Sequence, residues 1–106
     1  MRKTTRFQVA LAAVILLAGA VSFAQSGEAT YKTKCASCHG SAGVPSPGIA
    51  KAMGVKPATD PSVKSKTEAQ MIAATTDGMG KMAAFKGKIT DAQIKDAVDY
   101  FRTFAK

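Results

Sequence analysis

Both cysteines and the single histidine of this 106-residue chain fall within five consecutive positions, Cys35-Ala36-Ser37-Cys38-His39. On a helix or a helical turn, residues three and four apart share a face, so two sulfurs and one imidazole project toward one side. Such a side can hold a flat cofactor. Two thiols form thioether bonds to the vinyl groups of a haem, one nitrogen takes its iron, and C-x-x-C-H is the spacing used for covalent haem attachment.

The same three residues admit other chemistries, and each demands something further. A Cys35–Cys38 disulfide would close too small a loop to stabilise much, because the entropic benefit grows with loop length. A thiol oxidoreductase places its C-x-x-C after a strand in a βαβ unit, whereas the residues before Cys35 read as a helix. A structural zinc site needs four ligands, and two cysteines with one histidine leave it one short.

The elements that must position these residues begin after a leader. Residues 1–6 carry Arg2, Lys3 and Arg6 with no acid, residues 7–23 are apolar apart from Gln8, Gly19 and Ser22, and the run ends in Ser22-Phe23-Ala24. This is the pattern of a secretory signal peptide cleaved after Ala24, and it divides the chain into a leader, 1–24, and one domain, 25–106. The apolar core from Val9 to Leu17 is short for a membrane span, so the alternative of an uncleaved anchor is the weaker one. Export implies a periplasmic location.

Within the domain, Ser26 can cap a helix with Glu28 in its first turn, running to about Cys35. Gly40 to Pro61 holds four glycines and all four prolines, which predicts a loop. A loop that long in a small domain suits a segment that wraps something. Thr67-Glu68-Ala69-Gln70 is a capping box opening a helix that stops at Gly78, with Met71, Ile72 and Thr75 as a buried stripe. Thr90-Asp91-Ala92-Gln93 opens the last helix, whose Ile94, Ala97, Val98, Phe101 and Ala105 recur at three- and four-residue steps, with Tyr100 and Phe104 widening that face. No strand pattern or internal repeat emerges, so the fold class is all-α.

Taken together, Gly27-x-x-x-Tyr31-x-x-x-Cys35-x-x-Cys38-His39, Pro45-Ser46-Pro47-Gly48 and Gly78-Met79-Gly80-Lys81-Met82-Ala83-Ala84-Phe85 resemble, in that order, the motifs of the class I c-type cytochromes. The resemblance implies three to four helices wrapped around one covalently attached haem. It implies that Gly27 lets the first helix pass close to the last with the Tyr31 ring packed at the crossing, so that Gly27 and Tyr31 should face Ala97, Tyr100 or Phe101. It further implies Cys35 and Cys38 as attachment points, and His39 and Met82 as the axial ligands of the iron. A proline carbonyl would accept a hydrogen bond from the second nitrogen of His39, Pro47 being the candidate and Pro45 its rival. The chain departs from the family in having Ala83 where a proline usually follows the ligand methionine, which keeps Met79 in competition with Met82.

The function so implied is one-electron transfer by a soluble, monomeric carrier rather than catalysis. The alternative is a haem enzyme or sensor with an open sixth position, peroxidase-like or gas-binding. The whole chain carries a net charge of +8. Three of its fifteen basic residues and none of its acids lie in the leader, which leaves the domain at about +5. Such a balance suits redox partner proteins with acidic docking patches, met by Lys81, Lys86 and Lys88 around the methionine loop. Nucleic acid is excluded by the absence of a basic stretch interleaved with aromatics.

Overall fold

The computed structural model describes residues 27–106, and the leader and the Ser26 cap expected above lie outside them. Six α-helices follow one another: α1 over residues 27–34, α2 (Ala36–His39), α3 (Pro47–Met53), α4 (Pro61–Lys64), α5 (Glu68–Asp77) and α6 (Asp91–Arg102), with a closing 3₁₀ turn (Thr103–Ala105). Among the described residues there is no sheet, and none of their helices is long and apolar enough to cross a membrane.

The two capping boxes form as expected. Thr67 accepts from the Gln70 N–H while the Gln70 side chain accepts from the Thr67 N–H, and Thr90 and Gln93 repeat the exchange. Each exchange satisfies N-terminal donors that the helix cannot, which fixes where α5 and α6 begin.

The expected loop between Gly40 and Pro61 is only partly a loop. It contains α3, started by the Ser46 side chain accepting from the Ile49 N–H with Pro47 in the first turn, and it leads into α4, where the Asp60 carboxylate accepts from the Ser62 N–H ahead of Pro61. A proline in the first turn gives up an N–H that would have had no partner, so it starts a helix as readily as it ends one. The family's three to four helices become six because of these short pieces.

The core is the crossing of α1 and α6. Tyr31, Ile94, Ala97 and Val98 are buried there. The Tyr31 ring lies 5.3 Å from Tyr100, 6.1 Å from Phe101 and 5.6 Å from Phe104, centroid to centroid. Gly27 faces the backbone of Asp96, so close that a Cβ would stand 2.8 Å from the Asp96 carbonyl oxygen. Tyr31 thus meets two of the residues expected of it, while Gly27 meets Asp96 instead. On the other side α5 packs on α6. Of its expected stripe only Thr75 is buried, and Met71 and Ile72 stay half-exposed.

Candidate functional site

Cys35 lies between α1 and α2, and its carbonyl accepts from the N–H of Cys38 (3.3 Å) and of His39 (3.0 Å). That single turn gathers both thiols and the imidazole. Both cysteines are free and half-buried. Burial pushes the Cys35 thiol up, the opposite of the depressed thiolate that a redox-active C-x-x-C requires. No three Cys, His, Asp or Glu side chains among the described residues are grouped so as to hold a metal ion.

His39 is held from two sides. The edge of its ring stands against Phe101 of α6, at 5.3 Å between centroids. Just after it, Gly40 adopts a left-handed conformation (φ 81°), and its carbonyl accepts a 2.6 Å hydrogen bond from the Tyr31 hydroxyl. A Cβ on Gly40 would run into the Val44 carbonyl, so only glycine turns the chain here. Burial pulls the His39 pKa below the ordinary 6.5, which leaves the imidazole neutral at pH 7 with a lone pair to give. Its Nδ1 is buried without a hydrogen-bond partner. In the following loop Pro45 is buried, whereas Pro47 is exposed in the first turn of α3.

The methionine segment is a tight hairpin. Met79 and Met82 exchange backbone hydrogen bonds of 3.2 and 2.9 Å across Gly80 and Lys81, with Gly80 at φ 59°. Beyond it the chain returns to α5, where the Phe85 and Lys86 N–H groups donate to the carbonyls of Thr75 (3.0 Å) and Thr76 (3.1 Å). Carbonyls in the last turn of a helix lack internal donors, so the returning strand completes α5 as it anchors the hairpin. At Gly78 (φ 81°) a Cβ would stand 2.9 Å from the Met82 carbonyl oxygen and 3.0 Å from the Ala84 nitrogen. The hairpin separates its two methionines, for Met79 is 63% exposed and Met82 is half-buried.

Residues 22–101 match the family described as cytochrome c oxidase, cbb3-type, subunit III. The chain belongs to the class I c-type cytochromes. Among its relatives is a cytochrome c6 of Leptolyngbya boryana, 38% identical over 77 residues that make up 73% of this chain and 87% of the relative. The fold superposes on the KustC0563 c-type cytochrome with a TM-score of 0.68, at 27% identity, over 76% of this chain and 98% of the other. Membership makes this cytochrome an electron-transfer haem protein whose cofactor is covalently bound haem c. The residues present fit that group: two free thiols within one helical turn, a neutral imidazole beside them, and a buried Nδ1 on that imidazole with no hydrogen-bond partner.

Three contacts of this site had no clear sign in the sequence: Phe101 against His39, the Tyr31 hydroxyl on Gly40, and the Lys81 ammonium on the Ala52 carbonyl. Only the second had a physical cue, since a buried tyrosine hydroxyl needs an acceptor.

Proposed function

We propose that this cytochrome is an exported, periplasmic carrier of single electrons with one haem, attached through Cys35 and Cys38 and ligated by His39 and Met82. The observation that carries the ligand assignment is the asymmetry of the hairpin: Met79 is turned to solvent and Met82 is half-buried. The haem would supply one-electron chemistry at its iron, and Met82, as a neutral thioether ligand alongside His39, would favour the ferrous state and raise the potential. The chain's own residues bind, orient and exclude water. Cys35 and Cys38 anchor, Phe101 and the Tyr31–Gly40 hydrogen bond restrict the imidazole, and the hairpin presents a sulfur. With His39 and Met82 both spent on holding the iron, no position would be left for a substrate, so the activity would be electron transfer rather than bond chemistry. A loop proline carbonyl, Pro47 or the buried Pro45, is the acceptor for His39 Nδ1 in the haem-bound protein, which would fix the plane of the ring.

Partner proteins with acidic patches suit the exposed lysines beside the hairpin. Lys86 is exposed, and Lys88 lies over the Phe85 ring with its Nζ 5.9 Å from the centroid. The ferric spectrum tests the ligand. The band at the red end of the visible range expected of methionine sulfur on iron should vanish in Met82→Ala and persist in Met79→Ala. The reverse pattern would transfer the role to Met79, and no such band in the unaltered protein would favour the open-site enzyme or sensor.

A further inference from the structure

Lys81 sits beside Met82 in the hairpin, and its Nζ donates a 2.6 Å hydrogen bond to the carbonyl of Ala52, 29 residues earlier in the chain. Ala52 lies in the last turn of α3, where Gly54 donates its N–H to the Ala50 carbonyl, and the Ala52 oxygen is left for Lys81. A cation at that end also meets the negative pole of the helix. The two sides of the hairpin are therefore secured differently. Toward α5 the returning strand makes two backbone hydrogen bonds, to Thr75 and Thr76. Toward α3, among the described residues, the hydrogen bond of the hairpin is the one from Lys81.

We propose that Lys81 is a positioning residue for Met82: by joining the hairpin to the C-terminus of α3 it holds the thioether sulfur in place. The inference rests on Met82 being the second axial ligand. It gives Lys81 an internal task in addition to that of a docking lysine. A side chain at the surface thereby sets how often the sulfur leaves its position, while the attachment at Cys35, Cys38 and His39 stays untouched.

Imidazole added to the ferric haem-bound protein provides the test, because it replaces the methionine sulfur only when the hairpin opens. Its binding is followed by loss of the red band. Lys81→Ala should bind imidazole about three- to tenfold more tightly, the size expected for losing an exposed charged hydrogen bond at a helix end. Lys81→Arg, which also reaches a carbonyl, should stay close to the unaltered protein, and so should Lys66→Ala, which removes the same charge elsewhere. If Lys81→Ala does not mature, Lys81→Met, which keeps an unbranched side chain of similar reach but has no donor, carries the same comparison. Urea unfolding followed by far-ultraviolet circular dichroism separates local from global effects, and its midpoint should hardly move. Unchanged imidazole affinity in Lys81→Ala would overturn the proposal, as would an equal gain in Lys66→Ala or a matching fall in global stability. A red band that survives in Met82→Ala would instead remove the ligand assignment itself, whatever Lys81 does.

Discussion

His39 shows what burial does at the scale of one residue. Loss of water lowers its pKa and keeps the ring neutral, while Phe101 and the turn at Gly40 limit where it points. The attachment residues were legible because their chemistry depends on residue type and spacing alone: two thiols and an imidazole within five positions allow few uses. Orientation was not legible, since it comes from Tyr31 and Phe101, which look in the sequence like ordinary members of an apolar face. Tyr31 also carries a pH signature. Chiefly through burial its pKa is raised from the ordinary 10.0 to about 12. The folded state thus keeps a proton that the unfolded chain releases, so the contribution is intact below pH 10 and is lost as pH rises toward 12. Tyr31→Phe should lower stability at pH 7 by about 1 kcal/mol, through loss of the hydrogen bond to Gly40. Urea titrations from pH 9 to pH 12 should also show a shallower decline for Tyr31→Phe than for the parent. An equally steep decline would place the titration elsewhere.

Among the elements, the two capped helices were readable because a capping box is a local code, needing only four adjacent residues to state where a helix starts. The segments α3 and α4 were missed although both carry their own start signals, Ser46-Pro47 and Asp60-Pro61. In a stretch dense with glycine and proline those signals read as punctuation, and only the side-chain caps distinguish a starting proline from a breaking one. The methionine hairpin lies between these cases. Its glycines announce a turn, but the return to Thr75 and Thr76 follows from the end of α5 and from tertiary packing. Ala83, where the family resemblance leads one to expect proline, makes no backbone hydrogen bond through its N–H among the described residues, so a proline there would remove none. Ala83→Pro should therefore stiffen the hairpin and raise stability by about 0.4–1 kcal/mol, mainly by restricting the unfolded chain. Thermal unfolding of the ferric protein checks this, and a lower midpoint would show that the hairpin requires a φ proline lacks.

At the scale of the whole molecule, the crossing of α1 and α6 buries Tyr31, Ile94, Ala97 and Val98, while Tyr100, Phe101 and Phe104 around Tyr31 stay half-exposed, as do Ile49, Val55, Val63, Ile72, Met82 and Phe85 elsewhere in the domain. A domain of about 80 residues with so few fully buried side chains gains from a covalently held apolar group at its centre. The α1–α6 crossing was legible through Gly27 and Tyr31. The partner of Gly27 was not, because the contact is with the backbone of Asp96, and a backbone leaves no mark in the residue pattern. Electron transfer by this chain depends on Cys35 and Cys38 being spent on a haem. Haem staining of the exported protein after denaturing electrophoresis measures this directly. The parent chain should give a stained band that survives denaturation, and the band should be lost when both cysteines are replaced by alanine. A colourless parent band whose two cysteines still react with a thiol alkylating reagent would contradict it.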